Sequence, residues 1–213
     1  LVLRVTVIVG MVAPENGCSP GVENEYSLVK QVVEMHESVT DPALVSALRL
    51  FWTKGAESAA YGEIVQATGL SRKALYARWP DKLALVDDTL ALYRREVLAG
   101  MLEALETAGV AAFWDRLETV VAEPGWCGCY LMRTGAGTLR VEPTVRAQLE
   151  DYLAALQAGF GKALADAPLP VSPDLAAQQC VALLVLISQR GAVEGNSPAV
   201  RALIAAGRRT CGL

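Results

Sequence analysis

Residues 47–85 read ALRLFWTKGAESAAYGEIVQATGLSRKALYARWPDKLAL, and the spacing within this stretch sets the local architecture. Just before it, Asp41-Pro42 is an N-cap followed by proline at the first helical position, where a missing N–H leaves no partner unsatisfied. Leu44, Ala47, Leu48 and Phe51 then recur at the three- and four-residue steps of one buried face, and Gly55 ends the helix. A short helix is predicted from about Gly62 to Thr68, with Ile64 and Val65 inward. Gly69 closes it where a left-handed backbone is cheap. Ser71 caps a second short helix in which Ala74 and Leu75 face inward while Arg72, Lys73 and Arg78 project outward, and Pro80 stops it. Two short helices joined by a glycine turn have the geometry of a helix-turn-helix.

Working outward, Asp81 caps a long helix to about Leu105, with Leu83, Val86, Leu90, Tyr93, Val97 and Met101 along one side, and Gly109 breaks it. Further helices are predicted at about 110 to 122, 127 to 139, 143 to 166, 173 to 190 and 198 to 209, separated by Pro124-Gly125, Pro143, the Pro168 to Pro173 stretch and Gly195 to Pro198. No alternating strand pattern and no internal repeat interrupts them. The chain reads as all-α with about nine helices: a poorly structured extension over 1–40, a helix-turn-helix domain over 41–85, and a helical effector-binding and dimerisation domain over 86–213.

Composition agrees with a globular protein. Of the 213 residues, 53% are hydrophobic and 20% charged, which argues against disorder, collagen-like repeats and low complexity. The length allows one large domain or a small module fused to a larger one. Five cysteines (Cys18, Cys127, Cys129, Cys180 and Cys211) are scattered over a chain large enough to fold without staples, so a reducing cytoplasm is the simplest home. Residues 1 to 13 form an apolar run interrupted by Arg4, a pattern shared with weak secretory signals. No uninterrupted apolar stretch of ~18 residues is found, and no transmembrane helix or membrane partner is expected. Residues 1 to 40 carry Arg4 and Lys30 against five glutamates and show no helical period before Ser27, so Met35, just ahead of the first strongly periodic segment, is the expected natural start.

The formal charge of -4 does not decide for or against nucleic acid, because an acidic body can carry a basic patch. Between Gly69 and Lys82 the balance is Arg72, Lys73, Arg78 and Lys82 against Asp81 alone, a local positive face of the kind that tracks phosphates. The first turn of the second short helix offers Ser71, Arg72 and Lys73, donors that reach base edges or phosphates in a major groove. Tyr76, one turn further on, braces the helix with its ring while its hydroxyl meets the backbone. Lys82 is expected to point at the same strand, so its removal weakens all sequences about equally.

The same residues carry a family resemblance. Residues 47–85 resemble the N-terminal DNA-binding domain of the TetR/AcrR family of bacterial transcriptional regulators. The match lies in Phe51 and Gly55 at the end of helix 1, Ile64 and Gly69 in helix 2 and its turn, the Ser71 to Tyr76 run, and the Trp79-Pro80-x-Lys82 junction. The Gly128 to Leu131 stretch and the helix starting at Pro143 are similar to the ligand-binding half of many members. The resemblance implies an all-α homodimer whose helices 1 to 3 bind double-stranded operator DNA, with helix 4 as a lever. The C-terminal body would bind a small-molecule effector and dimerise through its last two long helices. It places DNA contacts on Ser71, Arg72, Lys73, Ala74, Tyr76, Arg78 and Lys82, and repression as the commoner habit. One departure is Ala59 and Ala60, where members carry a Thr or Ser that caps helix 2 and touches a phosphate; a lost cap typically costs ~1 kcal/mol.

Phe113, Trp114, Trp126, Tyr130 and Met132 are the candidate effector-pocket residues, with ordinary core as the competing account for each. Leu175 to Arg190 is apolar on more than one face, which fits burial against both its own body and a partner subunit. Two other functions stay open. Ala59 and Ala60 allow a small-molecule binding protein that no longer reads DNA, and Cys127-Gly-Cys129 allows a thiol-dependent redox enzyme. His36 is far from that cysteine pair and no second pair completes a tetrahedral site, so no metal or cofactor is expected. No nucleophile, base and orienting group stand at coherent spacing, which argues against an enzyme.

Overall fold

Asp41 opens the first helix as its side chain predicts: Oδ1 accepts the backbone N–H of Ala43 at 3.0 Å, and Pro42 takes the first helical position. The computed structural model describes residues 41–213. The extension over 1–40, with Cys18, Met35 and His36, lies outside the described residues.

Among the described residues all regular structure is helical. Helix α1 is Pro42–Lys54, α2 is Tyr61–Thr68, α3 is Arg72–Arg78 and α4 is Lys82–Tyr93. A π-helical turn, Arg94–Leu98, carries α4 into α5, Ala99–Ala122. Then follow α6 (Tyr130–Ala136), a 3-10 turn (Thr138–Val141), α7 (Pro143–Ala163), α8 (Pro173–Glu194) and α9 (Pro198–Thr210). The long helix expected to run to about Leu105 reaches the break expected at Gly109. The direction changes at Gly109, whose φ of 83° and ψ of -175° only glycine adopts readily. The helix expected over 127 to 139 is shorter, because Cys127 and Gly128 are held out of helical geometry by contacts described below.

Helix α1 packs on α2 and α4, and α4 in turn touches α6 and α7. In the body α7, α8 and α9 pack in succession, α5 lies against α7 and α9, and α6 is wedged against α7 and α8. Ala47, Leu48, Phe51, Ile64, Leu75 and Leu85 fill the N-terminal core. In the body, Phe113, Trp114 and Phe160 form an aromatic cluster with centroids 4.9 to 6.0 Å apart. Lys82–Ala122 and Pro173–Glu194 are long and apolar enough in composition to cross a membrane. Each instead contributes to the core of the body: Leu105 and Trp114 from the first, Ala176, Cys180 and Ile187 from the second are buried. Arg94, Arg95 and Glu96 also interrupt the first.

Candidate nucleic-acid interface and effector cavity

Helix α3 is presented by its own ends. Ser71 Oγ accepts the Ala74 N–H at 3.2 Å, and Leu75 is driven into the core between the three N-terminal helices. Burying Leu75 turns Arg72, Lys73 and Tyr76 outward; Arg72 and Lys73 are exposed, Ala74 is half-buried, and Tyr76 is 48% exposed. The Tyr76 ring stacks on Tyr61 of α2, with centroids 5.3 Å apart, so the two helices share a braced aromatic edge. Burial, followed by the Tyr76 hydroxyl, pushes the Tyr61 phenol above its ordinary range, which keeps it neutral.

The remaining two cations have partners within the chain. Arg78 pairs with Asp41 and lies over the Trp79 ring, 4.4 Å from its centroid. Lys82 was expected to point at a DNA strand. Its Nζ donates to the Glu57 and Ala59 carbonyls at 2.9 and 2.8 Å, and burial draws its ammonium below the ordinary lysine range. Lys82 therefore closes the loop between α1 and α2, with one of three ammonium protons left for another acceptor.

Ala59 and Ala60 also receive a structural account. Ala59 is a core residue, and Ala60, at the N-cap of α2, has no side-chain acceptor to offer. Glu63 makes the return half of a capping box, its Oε2 accepting the Ala60 N–H at 2.8 Å while its other oxygen pairs with Lys54.

The body holds a cavity of about 320 Å³ between α4, α5, α7 and α8. Of the five residues nominated from sequence, Phe113, Trp126 and Met132 line it. Trp114 and Tyr130 do not. Trp114 is fully buried against Gly207 of α9, and its indole N–H donates to Cys211 Sγ at 3.3 Å. Tyr130 stands one layer behind the wall, its hydroxyl sharing a 2.9 Å hydrogen bond with Thr89 and its ring edge-on to Tyr93. Sequence spacing cannot separate an aromatic that faces a void from one that fills its own. Tyr93, Tyr152, Leu184 and Ile187 complete the apolar wall, and Glu96, Arg116 and Ser188 add polar groups. None of these carries a local signal, since each reaches the cavity only through helix packing.

The cavity wall reaches the N-terminal helices directly. Tyr93 packs edge-on against Trp52 of α1, with centroids 5.1 Å apart. The Trp52 indole N–H donates to the Gly128 carbonyl at 2.8 Å, and Arg133 Nη1 donates to the Trp52 carbonyl at 2.8 Å and to that of Cys127 at 2.9 Å. Cys129 N–H donates to Ser188 Oγ of α8 at 2.9 Å. Gly128 is needed here: its φ is +85°, and an added Cβ would lie 2.3 Å from the Ser188 carbonyl oxygen. The Cys127-Gly-Cys129 segment is thus a structural joint. The Cys127 thiol faces the Trp52 carbonyl at 3.5 Å, and burial raises the Cys129 thiol above its usual range, against nucleophilic use. No three His, Cys, Asp or Glu side chains among the described residues are grouped to hold a metal.

A helix-turn-helix unit with a cationic first turn, joined to an all-helical body with an apolar cavity, defines the class: an all-α protein with a helix-turn-helix head. Residues 43–89 match the family model for bacterial regulatory proteins of the tetR family. Over these residues the chain is similar to the N-terminal DNA-binding domain of that family. No curated protein matches it. A TetR-family transcriptional regulator from Streptomyces coelicolor shares its fold at a TM-score of 0.71 and 17% identity, over 80% of this chain and 93% of that one. NemR of E. coli in its reduced form gives 0.60 at 16%, over 79% and 94%. A cysteine mutant of CifR, a TetR family transcriptional regulator complexed with 26-bp double-strand operator DNA, gives 0.62 at 19%, over 82% and 96%.

Proposed function

We propose that this chain is a cytoplasmic, ligand-responsive transcriptional repressor that binds a pseudo-palindromic operator as a homodimer. Ser71, Arg72, Lys73, Ala74 and Tyr76 form the groove-facing surface of α3; Arg78 and Lys82 steady it and contribute charge at its edge. The operator complex described for CifR supports a duplex DNA partner.

Dimerisation is supported by α8. Leu175, Leu186 and Val193 are exposed on one stripe of that helix, Val193 to 87%, an apolar face of the kind a second copy covers. Pairing of two chains through α8 and α9 would carry two α3 helices to successive major grooves.

The observation that carries the ligand response is the packing of Tyr93, a wall of the cavity, on Trp52 of α1. An apolar or aromatic effector that moves Tyr93 also moves α1, and a differential affinity of about 1–3 kcal/mol between two head spacings is enough for regulation. Selection of binding sites from a random duplex library by the full chain tests this reading. Enrichment of an inverted repeat, with affinity falling steeply as salt rises, is expected. Salt-insensitive, unselective binding would instead favour a small-molecule binding protein, the alternative that Ala59 and Ala60 keep open.

A further inference from the structure

Two thiols that the regulator reading leaves unused meet in the body. Cys180, in the middle of α8, is fully buried, and Cys211, the residue capping α9, is 5% exposed. Their sulfurs are 3.5 Å apart across 31 residues of chain, and the Trp114 indole N–H points at Cys211 Sγ from 3.3 Å. We propose that Cys180 and Cys211 are a modification site, a dithiol that hydroperoxides convert to a disulfide joining α8 to the end of α9.

The two sulfurs have unequal roles. The Cys180 S–H, followed by the Trp114 N–H, stabilises negative charge on Cys211 against burial and draws its thiol down to about 7, while the same contact pushes Cys180 up. Cys211 is the attacking thiolate and Cys180 the resolving thiol. The Cys211 sulfur attacks one oxygen of the hydroperoxide: an S–O bond forms, the O–O bond breaks, and the departing oxygen takes a proton to leave as alcohol or water. Cys180 sulfur then attacks Cys211 sulfur; the S–S bond forms, the S–O bond breaks, and hydroxide leaves with the Cys180 proton as water. Two thiols lose two electrons, which reduce one O–O bond.

Closing a bond of about 2.05 Å from 3.5 Å requires an approach of roughly 1.5 Å. Cys180 is fixed in mid-helix, so the movement falls to Cys211, beyond the last turn of α9. Cys127 and Cys129 serve as internal controls, since their contacts are to Trp52, Arg133 and Tyr93.

The test is oxidation of the purified full chain with hydrogen peroxide, alkylation of remaining thiols after denaturation, and peptide mapping without reductant. A cross-linked peptide pair containing Cys180 and Cys211, reversed by dithiothreitol, is expected. In Cys180→Ser, a sulfenic acid at Cys211 should be trapped by dimedone. In Trp114→Phe, oxidation should slow several-fold. Both thiols remaining alkylatable in the wild type, or cross-links that join other cysteines or two chains instead, would overturn the proposal. Because the wild-type map needs no variant, a poorly folding substitution leaves it decisive.

Discussion

The Trp52 indole N–H ends on the carbonyl oxygen of Gly128, 2.8 Å away and 76 residues later in the chain, so the first helix of the DNA-binding unit is bolted to the loop that opens α6. Both groups are buried, and losing the donor strands an acceptor. Trp52→Phe should therefore destabilise the fold by ~1–3 kcal/mol, an effect read from denaturant unfolding. An unchanged midpoint would mean that the bond is dispensable. Gly128→Ala should cost more, because the new methyl meets the Ser188 carbonyl at a φ that alanine resists.

Arg72 and Lys82 are both cations of the same short region, yet they should respond differently. Arg72 has no side-chain partner among the described residues, so the unfolding free energy of Arg72→Ala should stay within about 0.5 kcal/mol of the wild type while affinity for the selected duplex falls. Lys82→Ala removes a charged donor from two carbonyls and should lose ~1.5–3 kcal/mol of stability together with DNA affinity. Equal stability of the two variants would return Lys82 to the role of a simple phosphate ligand.

Leu184 lines the cavity and Trp114 does not. Leu184→Phe should leave stability within about 1.5 kcal/mol, since the added ring has space to enter, and should weaken uptake of an apolar fluorescent dye. Trp114→Phe should lower stability by ~1–3 kcal/mol through lost volume and an unpaired contact at Cys211, with dye uptake preserved. Dye titration beside unfolding curves separates these outcomes.

Glu57, between α1 and α2, gives its contact with the 3-10 turn a pH dependence. Burial alone would raise its carboxyl, but the Leu139 and Thr138 N–H groups, the Thr138 hydroxyl and the Lys82 charge outweigh it and hold the carboxyl below the ordinary glutamate value. A depressed carboxylate contributes stability above its unfolded pKa and loses it as pH falls through its folded one. The stability advantage of wild type over Glu57→Gln should thus be present at pH 7 and vanish on acidification below about pH 4. An advantage that persists in acid would show that the Leu139 N–H contact does not depend on the charge.

From residues in order along the chain, the helix-turn-helix was readable because its determinants are local: Asp41 and Ser71 as caps, Gly55 and Gly69 as stops, Leu75 inward and Arg72 and Lys73 outward one residue type at a time. The break at Gly109 was readable for the same reason. What packing alone decided is the role of side chains with identical local patterns. Lys82 looked like another surface cation until the loop over Glu57 and Ala59 closed on it, and Trp114 looked like Trp126 until Gly207 left room for one of them in the core. The cavity draws Tyr93, Met132, Tyr152 and Ser188 from separate helices, and Cys180 finds Cys211 across α8 and α9. Such meetings depend on helix crossings that no short-range spacing records, because burial of whole faces, summed over the domain, chooses them.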